Sequence, residues 1–278
     1  MIRIVTDSSS DLSPRLAAEL GVSVIPVRIS FGSRVYQDGI DLDRNGFHRH
    51  LAESSLSPTV EPPLPEEFQS LYTRLLKSTD QILSVHVSSK LNSTARVAQE
   101  ATKTFLGRSK ITVIDSRMVS WGLGLLVTLA AEAAQRGETL DDIVKLIRGA
   151  IPHIYMVFFA ENLDYIERHA HRTKERLFAD SLPGLRPLLI VEDGKIMPLE
   201  RVRSRGKSVD RLFEFLAEFA HFDQATVLQG RLADDAQALY EQLSEAFPEK
   251  RVDIKLYGSA LATYLGPDCL GIGVYEGI

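Results

Sequence analysis

From Ile2 to Ile151 the sequence alternates short apolar runs with helix-forming stretches, and this alternation constrains the fold more than any other feature. Ile2 to Thr6, Val22 to Phe31, Ile82 to Val87 and Ile111 to Ile114 read as extended runs. Helical stretches lie between them. Ser13 is placed to cap a helix whose first residue is Pro14. Phe47 to Glu53 reads as helical, and Pro65-Glu66-Glu67 opens a helix with acids at its positive end. Thr94 to Phe105, the apolar stretch from Gly122, and Thr139 to Ile151, capped by Thr139, complete the set. Residues 54 to 65, rich in Ser and Pro, read as a loop. Repeated strand–helix units favour a parallel sheet covered on both faces.

The second half has a different grammar. Leu188 to Val191 and Lys195 to Arg205 flank Glu192-Asp193-Gly194, a hairpin signal that requires antiparallel pairing. Strands at Ile154–Phe159, Ala225–Gln229, Val252–Leu256 and Leu270–Tyr275 accompany helices at Asn162 to about Arg176, Val209–Phe219 and Ala233–Ala246. The expected fold is α/β with two lobes. Residues 1–155 form a three-layer lobe around a parallel sheet, and 156–278 form a lobe with a mixed sheet.

Bulk properties exclude several function classes. With 278 residues, 44% hydrophobic and 25% charged, the chain is globular rather than disordered. A net charge of −5 draws it neither to nucleic acid nor to an anionic membrane. The most apolar stretch, Gly122 to Ala131, meets Glu132 well short of the roughly twenty residues that span a bilayer. The opening reads as a strand rather than a signal peptide, and the lone Cys269 fits a reducing compartment, so a cytoplasmic protein is expected. Cys269 reads as a small buried side chain rather than a nucleophile.

Three extended runs end in hydroxyls: Asp7-Ser8-Ser9-Ser10-Asp11, then Ser88-Ser89 with Asn92-Ser93-Thr94 at the next helix start, then Asp115-Ser116 with Ser120. Ligands of open parallel sheets bind beyond the carboxyl ends of strands, and a helix start with hydroxyls suits an anion. The same residue types also cap helices and close turns, so the composition leaves both readings open. No GxSxG, Walker loop or HExxH pattern is present, and no serine has an evident His and Asp partner. His169 and His171, two apart, do not share a helical face, so neither a metal nor a cofactor is expected. Arg201, Arg203, Arg205 and Lys207 would share one face if extended, as a phosphate or partner contact or as a solvated edge.

Together these segments resemble the DegV family. Thr6-Asp7-Ser8-Ser9-Ser10-Asp11-Leu12 is similar to its TDSxxDL opening, Tyr36-Gln37-Asp38-Gly39 to YxDG, and Ser88 through Thr94 to SSxLSGT. Asp115 through Gly124 is similar to DSxxxSxGxG, Arg186 through Arg205 to KPIL…DGxI…RxR, and Gly266 through Gly271 to GPGALG. The resemblance implies two lobes with a long-chain fatty acid between them, its carboxylate on hydroxyls and its tail in the second lobe. It also implies a partner, a fatty acid kinase that phosphorylates the bound acid, so the chain itself is not an enzyme. Carried over by position, the implied ligand-binding residues are Thr59, Asn92, Ser93, Thr94, Arg172 and Tyr264, with Arg203 and Arg205 for the partner or phosphate.

Four departures fall on those positions. Val60 and Glu61 stand where the family has Ser and Gln, and a carboxylate there would repel another. Asn92-Ser93 replaces Ser-Gly, His169-Ala170-His171-Arg172 lengthens a GGR turn, and Tyr264 and Asp268 replace a histidine and a glycine. Tyr264 can donate a hydrogen bond but supplies no cation. The departures keep open a family member that binds another apolar or neutral lipid without a kinase, and a hydrolase acting on the bound ligand.

Overall fold

The computed structural model describes residues 2–54, 56–107, 109–161, 164–167, 186–202 and 205–278. The chain divides into two compact units, one of residues 1–47 and 58–152, the other of 48–57 and 153–278.

The first unit holds a four-stranded, wholly parallel sheet in the order β2-β1-β6-β7, from β1 (Arg3–Asp7), β2 (Ser23–Ile25), β6 (Gln81–His86) and β7 (Lys110–Asp115). Alternation along the strands sends Val5 and Ile82 to one face, where Phe68, Leu71 and Tyr72 of α3 (Pro65–Leu75) and Ala98 and Ala101 of α4 (Thr94–Thr102) cover them. Helices α5 (Ser120–Gln135) and α6 (Leu140–Ala150) also belong to this unit, as does α1 (Pro14–Leu20). Ser13 and Thr139 accept hydrogen bonds from the N–H groups of Leu16 and Asp142, so both act as helix caps. Gly124 lets α5 approach the turn after β1, because a Cβ there would stand 2.4 Å from the Ser10 carbonyl oxygen.

The sequence reading takes Val22 to Phe31 as one run; the structure divides it. Pro26 has no N–H to extend the pairing, and the Val27 N–H donates to Ser8 Oγ instead (3.0 Å). The chain then enters an antiparallel sheet in the order β4-β3-β5, from β3 (Arg28–Phe31), β4 (Arg34–Gln37) and β5 (Thr59–Glu61). The stretch read as a Ser- and Pro-rich loop therefore contains a strand, and Ile29↔Val60 pairing supplies its apolar contact. Helix α2 (Arg44–Glu53) lies between β4 and β5 in sequence.

The second unit is built on a six-stranded mixed sheet, β10-β9-β8-β13-β11-β12. It comprises β8 (Ile154–Ala160), β9 (Arg186–Glu192), β10 (Lys195–Val202), β11 (Gln224–Gln229), β12 (Arg251–Leu256) and β13 (Cys269–Tyr275). Asp193 and Gly194 adopt positive φ angles of 46° and 81° and close the expected hairpin, pairing Glu192 with Lys195. Helices α7 (Arg205–Ala217) and α8 (Ala233–Ala246) bury Leu212, Leu216, Leu239 and Leu243 with Val227 and Ile272. A short helix, α9 (Ser259–Leu265), was not expected. Residues 162–163 and 168–185, which hold most of the helix read from Asn162 to Arg176, lie outside the described residues; 164–167 are helical. No helix among the described residues is long and apolar enough to cross a membrane.

Candidate functional site

The start of α4 and strand β5 bring together four of the residues singled out in the sequence. Beyond β6, the Ser88 N–H donates to the Met118 carbonyl (2.9 Å), and the Ser88 carbonyl accepts from Leu91 (3.0 Å) and Asn92 (2.9 Å), which fixes the path into α4. Asn92 Oδ1 accepts from the Thr94 N–H (2.9 Å) and the Thr94 hydroxyl (2.7 Å). Its amide Nδ2 donates to the Val60 carbonyl of β5 (3.2 Å), leaving a second N–H. Thr94 is thus buried and committed to Asn92. Ser93 is half-buried and its side chain makes no capping bond. Thr59 is half-buried too, and neither its hydroxyl nor that of Ser93 has a partner among the described residues. The first N–H groups of a helix have no acceptor inside it. The Asn92–Val60 bond thus brings the α4 start to the strand that carries Thr59, and the Thr59 and Ser93 hydroxyls and the second Asn92 N–H are donors with no acceptor among the described residues, the chemistry an anion requires.

Glu61 does not stand alone beside that group. Thr59 and Glu61, two apart on β5, point to one face of the small sheet, and β3 sets Ser30 opposite Thr59 and Arg28 opposite Glu61. Arg28 Nη2 lies 3.3 Å from Glu61 Oε2, and Ser30 Oγ donates to Glu61 Oε1 at 3.4 Å. Arg28 Nε also donates to the Pro62 carbonyl (3.1 Å). The carboxylate expected to repel an acid is paired with a residue 33 positions earlier that the sequence did not single out.

Most hydroxyls of the other clusters are tied to the scaffold, but those of Ser9 and Ser10 are buried with no hydrogen-bond partner among the described residues. Ser89 bonds through its N–H and its hydroxyl to Asp115, Ser116 Oγ to Met118, and Ser120 Oγ to Asp11. Behind them runs a buried chain that sequence reasoning missed. Tyr72 OH lies 2.9 Å from Ser84 Oγ, Ser84 Oγ 2.7 Å from His86 Nε2, and His86 Nδ1 2.9 Å from Asp7 Oδ2. Asp7 also accepts from the N–H groups of Val87 and Ser9, both at 3.0 Å. Asp7, Ser84, His86 and Tyr72 are all fully buried. Burial pushes the Tyr72 phenol above its usual range, and the Ser84 hydrogen bond offsets this only in part. The Asp–His–Ser order is that of a hydrolase triad, but no solvent reaches Ser84, so the chain of bonds acts as a strut between β1, β6 and α3. Its sequence signal is the polar alternation of Ser84 and His86 within an apolar strand.

A family model described as an uncharacterised protein of the DegV family matches residues 1–277. A DegV domain-containing protein of Deinococcus radiodurans is 30% identical over 277 residues, 98% of each chain. The chain belongs to the DegV family. Among solved structures, DegV of Bacillus subtilis, described as a fatty acid binding protein, superposes with a TM-score of 0.90 at 26% identity over 99% of both chains. A Thermus thermophilus DegV family protein described for its fatty acid binding gives 0.88 at 26% identity, again over 99% of both. The two-lobed α/β expectation is therefore met.

Within this DegV-family fold the departures have local explanations. Ser93 has φ −84°, outside the left-handed region that favours glycine, so its backbone does not require glycine there. Asp268 receives a bidentate pair from Arg231, Nε to Oδ1 at 2.9 Å and Nη2 to Oδ2 at 2.6 Å. Tyr264 is buried on α9 in the second unit. Burial pushes the Cys269 thiol well above its usual range, and its Sγ donates to the Leu265 carbonyl, which keeps the sulfur protonated and a poor nucleophile. Arg172 and Arg203, with His169 and His171, lie outside the described residues. The row of basic residues does not form as one extended face. Arg201 is on β10, whereas Arg205 and Lys207 belong to α7, because burying Val209, Leu212 and Leu216 at helical spacing draws the segment into a helix. No group of three or more His, Cys, Asp or Glu among the described residues is placed to hold a metal.

Proposed function

We propose that this chain is a non-catalytic carrier that binds a long-chain fatty acid, holds the carboxylate at Thr59, Asn92 and Ser93, and offers it to a separate fatty acid kinase. The observation that carries the reading is the set of unpartnered donors at the α4 start, in a chain 26% identical to a fatty-acid-binding DegV over nearly its whole length. No activated nucleophile stands among those donors, which fits a carrier better than a hydrolase. The partner's need for ATP assigns the pair to the cytoplasm. Arg203 and Arg205 are assigned to the kinase or phosphate contact, and Arg172 and Tyr264 to the ligand.

Native mass spectrometry of protein purified without lipid stripping, followed by titration with palmitate and oleate, tests the first half. One acyl chain per protein is expected, and failure to bind either acid refutes the reading. Incubating the loaded protein with a bacterial fatty acid kinase and ATP tests the second half. An acyl phosphate is expected, and Arg203→Ala should reduce its formation more than it reduces binding. A second reading, a neutral lipid and no kinase, draws on Glu61 and Tyr264; preference for a fatty alcohol over the acid would select it.

A further inference from the structure

The small antiparallel sheet places an ion pair on the same face as a candidate head-group hydroxyl. Strand alternation puts Thr59 and Glu61 on one side of β5, and pairing with β3 puts Ser30 and Arg28 on that side opposite them. The Thr59 hydroxyl has no partner among the described residues. The carbonyl of Val60, between Thr59 and Glu61, accepts from Asn92. Glu61 of the Arg28–Glu61 pair is therefore one residue from the Val60 carbonyl that holds Asn92 and two from Thr59.

A head group seated there meets two opposite charges rather than one. Removing either leaves the other uncompensated beside the ligand. The side chains are 26% and 46% exposed, so water screens the pair in part but does not cancel it.

We propose that Arg28 is a specificity-determining residue of the head-group site. By neutralising Glu61 it sets the local charge near zero and allows an anionic head group to sit beside Thr59. This inference rests on the fatty-acid reading and adds to it the residue that decides acid against neutral lipid. Arg28 acts through the charge of Glu61 as well as directly on the head group, and the two routes have the same sign.

The test compares four proteins: wild type, Arg28→Gln, Glu61→Gln and the double variant. For each, the dissociation constants of palmitate and of hexadecanol are measured at neutral pH, and the acid-to-alcohol affinity ratio is read. Arg28→Gln is expected to lower the ratio by about fivefold, Glu61→Gln to raise it by about as much, and the double variant to return near wild type. Arg28 also holds the Pro62 carbonyl, so the variant could loosen β5. That loosening would weaken acid and alcohol together and leave the ratio unchanged. Arg28→Lys keeps the charge and loses the Pro62 bond, so it should retain the wild-type ratio. A ratio unmoved by Arg28→Gln and Glu61→Gln, while wild type binds palmitate, overturns this inference alone. Wild type binding neither ligand overturns the fatty-acid reading and this inference with it.

Discussion

Replacing Asp7 with Asn changes almost no volume but reverses the role of one atom. Asp7 Oδ2 accepts from His86 Nδ1 (2.9 Å) and from the Val87 N–H (3.0 Å), while Oδ1 accepts from the Ser9 N–H (3.0 Å). An ionised carboxylate only accepts, so His86 Nδ1 must carry a proton. His86 Nε2 is hydrogen-bonded to Ser84 Oγ, and Ser84 Oγ to Tyr72 OH. In Asp7→Asn the side-chain oxygen can keep Ser9, and the new NH2 group can donate to His86 Nδ1 if the ring changes tautomer. The Val87 N–H then faces a donor at a buried position. An unsatisfied buried N–H costs about 1–3 kcal/mol, and exchanging charge-assisted bonds for neutral ones adds about 1 more. The expected loss is therefore about 3 kcal/mol. Tyr72→Phe removes only the terminal hydroxyl and leaves Ser84 its bond to His86, so about 1 kcal/mol is expected. Because the chain has two units, its unfolding need not be two-state. Native-state hydrogen exchange at the Val87 and Ser9 amides, read together with urea unfolding, isolates the relevant one. Asp7→Asn should speed exchange at Val87 far more than at Ser9. Equal loss of protection at both, or a Tyr72→Phe variant as destabilised as Asp7→Asn, would refute this account of the strut.

The raised Tyr72 phenol gives a pH dependence whose sign follows from linkage. Its folded pKa lies above the unfolded value of 10.0, so its contribution is fully present below pH 10 and is lost as pH rises above that. Urea midpoints measured from pH 8 to pH 11 should hold and then fall, with a shallower fall in Tyr72→Phe; a slope identical in the two proteins would assign the alkaline loss to other groups. Gly124→Ala should destabilise by about 2–3 kcal/mol, because the added carbon meets backbone, the Ser10 carbonyl oxygen at 2.4 Å, and not a movable side chain. A melting temperature unchanged in Gly124→Ala would mean that α5 shifts at little cost.

Local chemistry settled much of the architecture in advance. Ser13-Pro14 and Thr139 start helices, Asp193-Gly194 closes a hairpin, and Ala233–Ala246 is helical over the range read from its spacing. Such signals act over a few residues, through dihedral preference, capping and periodic burial, so a linear reading captures them. The β3–β4–β5 sheet escaped because its strands are three or four residues long and one lies in a Pro-rich stretch. Short strands carry little periodicity, and their stability comes from pairing with distant partners.

The candidate site divides along the same line. The sequence by itself determined that Asn92, Ser93 and Thr94 bring hydroxyls and an amide to a helix start, and that the chain resembles the DegV family, which singles out Thr59 in what reads as a loop. Tertiary structure decided which donors stay open, turning Thr94 inward to Asn92 and leaving Thr59 and Ser93 unpartnered. It also decided the charge of the site. Glu61 finds Arg28 through strand register. A carboxylate's effect depends on what lies within a few ångströms, and folding alone sets that distance.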